Sequence, residues 1–275
     1  MIKKNRPTLP SYALELLSAG RTVFSREEAE QALGVGRGAF LDAAERLQRK
    51  GRLISPRRGF YVVVPPQFHS WGAPPPTWYI ADLMQREGHP YYVALLKAAE
   101  LHGASHQAVL EFQVITDRRM PEIRAGRSLI AFYYRRDMAA ISNGIEERKT
   151  DTGKMKLATV ELTAFDLLRY PRAAGGLGNI ATVLSELGAK IEPEKLAALM
   201  PAFERSVVQR LGHMLSRSGH KDRTEPLFRR LSPGPSIPWV ELDPAISGDP
   251  DLSPAAAERD GRWRVIAHQP TEADA

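Results

Sequence analysis

Along the first fifty residues, apolar side chains recur with helical spacing in three short runs, each closed by a glycine. In "PSYALELLSAG" (10–20), Tyr12, Leu16 and Ala19 share one face with Leu17 at its edge, and Gly20 ends the run. Ser25 opens "SREEAEQALG" with Glu28 three residues on, the spacing of a capping box, and Gly34 is a natural C-terminal stop. A third helix is predicted over roughly 37–50, where Phe40, Ala43, Ala44 and Leu47 line up and Gly51 terminates. The period then changes. Leu53 and Ile54 read as a short strand, "SPRRG" as a turn and "FYVVV" as the return strand. Three short helices followed by a β-hairpin with arginines at its tip is the element order of a winged helix-turn-helix, predicted for residues 1–66.

The stretch 65–77, "PPQFHSWGAPPPT", carries five prolines and excludes regular helix or a central strand. It predicts a stiff linker over 67–77, and so a domain boundary. Beyond it, residues 78–275 read as a mixed α/β body. "WYIADLMQREG" and "PYYVALLKAAELHG" are predicted helices, and "LEFQVITD", "RSLIAFYYRR", "GIEERKT" and "MKLAT" are predicted strands. "VELTAFDLLRYP", 177–187, 193–199 and "AFERSVVQRLGHMLSRSG" return to helix. Late strands are predicted at "WVEL" and "RWRVIAH", with 244–260 as a surface loop. The predicted class is α+β.

Charge sharpens this division. Residues 1–64 hold 12 Lys and Arg against 6 Asp and Glu, while the other 211 residues hold 26 of each. The whole net charge of +6 therefore lies in the N-terminal module, which points to a polyanion partner for that module alone. The chain has no cysteine, which removes disulfides, thiolate zinc sites and a cysteine nucleophile, and fits a cytoplasmic protein. No apolar run approaches about 18 residues, so no membrane span is predicted. "MIKKNRPTLP" lacks an apolar h-region, so no secretory signal is expected either.

Gly34, Gly36 and Gly38 invite comparison with a phosphate-cradling loop. A dinucleotide fingerprint needs G-x-G-x-x-G after a strand, whereas here G-x-G-x-G follows a helix; the Gly-Lys-Ser/Thr of a P-loop is absent. The glycines read instead as the turn and first residues of a DNA-facing helix, and no cofactor is predicted. Arg37 is placed to reach a guanine edge. Arg46 and Arg49 share the solvent face with Asp42 and Glu45, so that helix does not bind by charge alone. Arg49, Lys50 and Arg52 near the helix end, and Arg57 and Arg58 at the hairpin tip, are candidates for phosphate contact. Lys3 and Lys4, with Arg6, form a basic arm suited to a minor groove. On a protein-docking winged helix the same charges would simply be solvated.

The body offers weaker signals. His102 and His106 lie four apart, but Gly103 and Ser105 interrupt their helix and a third ligand is missing, so no metal is predicted. Gly175, Gly176 and Gly178 fit an anion-binding helix start or, more simply, a flexible turn. Arg118 with Arg119, and Arg135 with Arg136, end predicted strands and form either a patch or solvated ends. Tyr91, Tyr92, Tyr133 and Tyr134 read as core and cover. Glu146 and Glu147 are strand neighbours facing opposite ways, and no catalytic constellation emerges, so no enzyme is predicted.

Read in order, "RRGFYVVVPP", "YYVALLKAAELHGASHQ", "VELTAFDLLRYPRAAGGLGNIATVL", "SVVQRLGHMLSRSG", "IPWVELDP" and "DGRWRVIAH" resemble the AbiEi family over almost the whole chain. These are the antitoxins of type IV toxin–antitoxin modules linked to abortive phage infection. The resemblance implies a winged helix that binds double-stranded operator DNA and represses its own promoter. It also implies a body that antagonises a cognate nucleotidyltransferase toxin, with or without a stable complex. Two other readings stay open at this level: a one-component transcriptional regulator whose body senses a small ligand, and an enzyme acting on a partner protein.

Overall fold

A computed structural model describes residues 7–104, 110–231, 237–243, 245 and 257–268, which form an α+β fold. By compactness the chain divides into two units: Met1–Val93 with Leu110–Arg136 and Glu147–Leu157, and Ala94–Val109 with Asp137–Glu146 and Ala158–Ala275.

Unit one begins with helix α1 (Leu9–Ser18), started by a capping box in which the Ser11 amide donates to Thr8 Oγ1 and the Thr8 amide donates to Ser11 Oγ. Strand β1 (Val23–Ser25) leads into α2 (Arg26–Leu33). There the predicted Ser25–Glu28 box forms, with the Glu28 amide 3.0 Å from Ser25 Oγ. Helix α3 (Arg37–Arg49) follows, then β2 (Leu53–Arg57) and β3 (Phe60–Val63), which with β1 make an antiparallel sheet in the order β1-β3-β2. The buried stripe on α3 is the predicted Phe40, Ala44 and Leu47. On α1 it is Leu9, Ala13 and Leu16, with Ala19 exposed at the cap. Phe24 stacks on Tyr61 and Phe40 meets Tyr61 edge-on, joining helices and sheet in one core.

The hairpin departs from the expected strand–turn–strand lengths. Strand β2 runs on to Arg57 through a register shift after Ile54, where Ser55 Oγ donates to the carbonyls of Arg57 and Phe60, both at 3.0 Å. Only Arg58 and Gly59 remain for the turn. Arg57 therefore obeys strand alternation and turns away from its neighbour Arg58. Its guanidinium donates to the Pro121 carbonyl at 2.8 Å, lies 3.6 Å from Glu87 and faces the Phe132 ring.

The proline stretch folds into two 3-10 turns, Pro66–Phe68 and Pro76–Trp78. Between them the Trp71 carbonyl accepts from the Arg127 amide at 3.0 Å. Gly126, at φ +56°, approaches so closely that a Cβ there would sit 2.3 Å from the Trp71 carbonyl oxygen. The stretch is thus held against the turn at Gly126 and Arg127, within unit one, and the compact division of the chain does not fall at the prolines. Beyond it lie α4 (Ile80–Glu87) and a sheet built of β4 (Tyr91–Val93), β5 (Glu111–Thr116), β6 (Ile123–Ala125), β7 (Ser128–Tyr134), β8 (Ile145–Thr150) and β9 (Gly153–Ala158). Its order is β6-β7-β5-β4-β9-β8, with β5–β7 and β4–β9 parallel. Tyr91 and Tyr92, expected on a helix, are buried on strand β4, because "YYV" finds two strand partners that local periodicity does not reveal.

Unit two holds α5 (Leu95–Leu101), α6 (Val160–Arg169), α7 (Gly176–Leu187), α8 (Pro193–Leu199), α9 (Arg205–Arg217) and α10 (Glu225–Leu231). Every residue of α6 from Glu161 to Leu168 is buried, which makes it the central helix, with α5, α7, α8 and α9 around it. A small sheet follows: β10 (Val240–Glu241), β11 (Ala257–Asp260) and β12 (Val265–His268), in the order β10-β12-β11. Strand β11 lies at the end of the stretch expected to be loop.

One face of α9 docks this sheet. Trp263, fully buried, lies on Gly212 so tightly that a Cβ would be 2.3 Å from the ring. Around that contact, Gln209 Nε2 donates to the carbonyls of Pro238 and Trp263, both at 2.9 Å, and Arg210 Nε donates to the Glu241 carbonyl at 2.8 Å. One turn on, His213 Nδ1 donates to Asp260 at 2.8 Å, and Trp263 Nε1 donates to Ser216 Oγ at 3.1 Å. Burial pushes the Asp260 carboxyl up. The hydrogen bonds from His213 and the amides of Trp263 and Arg262 outweigh it and hold the group below the ordinary aspartate value.

Two outcomes follow. Gly212→Ala is expected to destabilise by about 1–3 kcal/mol through overpacking, despite alanine's better helix propensity. Gly178→Ala, with open space around its Cβ on α7, is expected to stabilise by about 0.5–1 kcal/mol; thermal melts of the two variants should move in opposite directions. Because the Asp260 carboxyl is depressed, its contribution is complete above the ordinary aspartate pKa of about 3.9 and is lost as pH falls through the lower, folded value. Asp260→Asn should thus flatten the acid limb of the stability curve, measured by denaturant midpoints from pH 5 downward.

Candidate nucleic-acid interface

The turn between α2 and α3 is Gly34–Val35–Gly36, and its three positions differ in kind. Gly34 takes the left-handed conformation at φ +62°, closing α2, while Val35 tucks against the core. Gly36 is extended and caps α3 without a side-chain hydrogen bond. Neither Gly36 nor Gly38 has any atom within 4 Å of where a Cβ would stand. Packing within the chain therefore demands no glycine at either position; their effect is to leave the start of α3 bare.

That bare end is also electrically distinctive. Helix α2 carries Glu27 and Glu28 in its first turn, as the helix dipole favours; α3 has no acidic residue there and opens on Arg37. Its first amides lack a side-chain cap, so unsatisfied N–H groups and a guanidinium lie together at one exposed tip. Leu41, one turn further and 40% exposed, extends this face with an apolar side chain. Sequence reasoning passed over Leu41. Its signal was an apolar residue outside the Phe40–Ala44–Leu47 stripe.

The other predicted contacts separate into free and committed groups. Arg37, Lys50, Arg52 and Arg58 are exposed, and their side chains make no hydrogen bond or ion pair among the described residues. Arg46 Nε donates to the Asp42 carbonyl at 3.0 Å, and Arg49 pairs with Glu45 at 2.6 Å while staying largely exposed. Arg57, expected with Arg58 at the tip, is half-buried against Glu87, Pro121 and Phe132. Arg86, unsuspected from sequence, reaches the Arg58 carbonyl and lies over Gly59, fixing the turn. Lys3, Lys4 and Arg6 lie outside the described residues.

The body candidates resolve into structural roles. His102 Nε2 donates to the Ala158 carbonyl at 2.7 Å, and His106 lies outside the described residues. No group of three or more His, Asp or Glu among the described residues is arranged to hold a metal. Gly175 and Gly176, both at positive φ, turn the chain into α7, where Asn179 Nδ2 donates to the Ala174 carbonyl at 2.9 Å. Arg118 donates to His89 at 3.2 Å and Arg119 faces the Tyr134 ring. Arg135 is buried, which removes it from any surface patch with Arg136. Glu147 pairs with Lys154. Among the described residues no helix is long and apolar enough to cross a membrane.

A family model described as "Transcriptional regulator, AbiEi antitoxin" matches residues 11–64, the three-helix module with its hairpin. A second, "AbiEi antitoxin C-terminal domain", matches residues 92–217, ending with α9. No protein of curated function matches the sequence. The crystal structure of the RV2827C protein from Mycobacterium tuberculosis shares the fold, at 18% identity and a TM-score of 0.68 over 96% of this chain and 93% of that one. With models of one family matching both the N-terminal module and the body through α9, the chain belongs to the AbiEi antitoxin family.

Proposed function

We propose that this chain is a type IV antitoxin that represses its own operon through an N-terminal winged helix-turn-helix and antagonises a cognate nucleotidyltransferase toxin through its body. The observation that carries the DNA-binding half is the bare tip of α3. An uncapped helix start, glycines that no internal contact requires and an unpaired Arg37 together suit close approach to a phosphate and a base edge. The net charge of this module supports the same reading, and family membership supports the toxin as the second partner.

On this reading α3 supplies specificity through Arg37 and Leu41, whose apolar side chain suits a thymine methyl. Arg46, Lys50, Arg52 and Arg58 supply non-specific attraction to phosphates. Arg49 contributes less, because Glu45 already neutralises it. Arg57 has no part in DNA contact; it holds the hairpin.

Three variants separate these roles in a gel-shift titration against the chain's own promoter. Arg37→Ala should reduce the preference for operator over unrelated DNA by about 5- to 160-fold, the equivalent of 1–3 kcal/mol. Arg58→Ala should weaken binding to both DNAs alike and lower the salt slope by about one. Arg57→Ala should leave the slope unchanged and lower the melting temperature. Unchanged preference in the Arg37 variant would remove this helix from base reading. For the toxin half, the full chain expressed from a promoter lacking the operator should restore growth to cells producing the neighbouring nucleotidyltransferase.

A further inference from the structure

The last turn of α4 reaches the tip of the β2–β3 hairpin with two consecutive residues. Glu87 Oε1 lies 3.6 Å from Arg57 Nε, and Arg86 Nη2 lies 3.5 Å from the Arg58 carbonyl oxygen. The same Nη2 would stand 2.7 Å from a Cβ at Gly59, so guanidinium and turn are in close contact. On its other side it lies 3.8 Å from Glu27 Oε2, in the first turn of α2. From that helix the Arg26 amide also donates to the Gly59 carbonyl at 3.0 Å. The two-residue turn is thus held from two helices, and the Arg86 side chain touches both the turn and α2.

Helix α4 is suited to act as a strut. Ile80, Leu83 and Met84 are fully buried, and the helix stops at Gly88 in the left-handed conformation directly after Glu87. The hairpin is less well braced by itself. Its register shifts between Ile54 and Arg57, and a two-stranded ribbon with such an irregularity bends and twists readily. The Arg58 side chain makes no hydrogen bond or ion pair among the described residues, so its direction depends on where the turn is held.

We infer that Arg86 is a positioning residue for DNA binding: it fixes the hairpin turn so that Arg58 meets a phosphate, and makes no phosphate contact of its own. The inference rests on the reading that the winged helix binds operator DNA, and it assigns part of that binding to a helix beyond the proline stretch. The Arg86 guanidinium is directed into the chain, toward the Arg58 carbonyl and Glu27, whereas that of Arg58 is not. Ordering a free hairpin tip at the moment of binding costs conformational entropy, and a tip already held avoids that cost.

The test is a double-mutant cycle on the full chain, by gel-shift titration over a range of salt against its own promoter and unrelated DNA. Arg58→Ala should lower the salt slope by about one, and Arg86→Ala alone should lower it by most of the same step. Added to Arg58→Ala, Arg86→Ala should then change affinity by no more than about twofold, the scatter expected of uncoupled sites. Arg86→Lys keeps the charge but loses the planar fork that reaches turn and carboxylate together, so it should bind as weakly as the alanine variant. Glu27→Gln removes a negative charge, which by charge alone would tighten binding; by releasing Arg86 it should weaken it instead. Arg86 and Glu27 are both exposed, so thermal melts should stay close to wild type. The preference for operator over unrelated DNA should also persist, since α3 and α4 belong to the same compact unit. Wild-type binding by Arg86→Ala, full binding by Arg86→Lys or tighter binding by Glu27→Gln overturns the inference. So do additive losses in the cycle with the slope falling by about two, which would place Arg86 itself on a phosphate. Each of these leaves DNA binding by the winged helix intact. Failure of the wild-type chain to prefer its operator removes that reading and this inference with it.

Discussion

Unit two depends on a contact that leaves no room for a methyl group: the face of Trp263 against the backbone of α9 at Gly212. Burying an indole brings a large apolar gain, but only if its N–H finds a partner, and Ser216 one turn along provides it. From that point the spacing of the helix dictates the rest. Gln209, His213 and Ser216 recur every three or four residues and so face the same side, each reaching a different strand or turn of the small sheet. A two-residue strand such as β10 has little stability of its own; α9 holds it at both ends, Gln209 at the preceding Pro238 carbonyl and Arg210 at the Glu241 carbonyl.

Unit one illustrates a different constraint, the alternation of a strand. Arg57 and Arg58 are adjacent and chemically identical, yet one is half-buried against Glu87, Pro121 and Phe132 and the other is exposed with no side-chain partner among the described residues. The register shift after Ile54 decides which is which. The division matters for any account of binding, since only the free arginine can release counterions from DNA. On the proposed reading, the attraction to DNA expected of both residues falls to Arg58 alone.

Much of the N-terminal module was legible from local chemistry. The Ser25–Glu28 box, the stop at Gly34 and the Phe40–Ala44–Leu47 stripe are all contained in runs of a few residues, where helix signals reside. What escaped was non-local. "PYYV" reads as helix until β5 and β9 flank it, and β6 is only three residues between Pro121 and Gly126. Strand β11 hides at the end of a Pro/Ala-rich stretch because its partner is eight residues beyond. The "QRLGHMLSRSG" run stood out as a motif, but its meaning lies about fifty residues away at Trp263. The candidate DNA contacts were legible as residue types. Their availability was not, because a side chain's partner cannot be read from its neighbours in sequence.

The seam between Gly126 and the proline stretch has a consequence for how such proteins diversify. A stretch rich in proline looks like a natural place for recombination to join one DNA-reading module to another body. Here a graft made at those prolines would have to recreate a backbone-to-backbone fit at Gly72 and Gly126, and supply partners equivalent to Glu87, Pro121 and Phe132 for the incoming hairpin. Inheritance of the module is therefore tied to inheritance of the β6–β7 edge. If α3 reads an operator as proposed, its specificity is freer to drift by substitution on the bare tip of that helix than by exchange of whole modules.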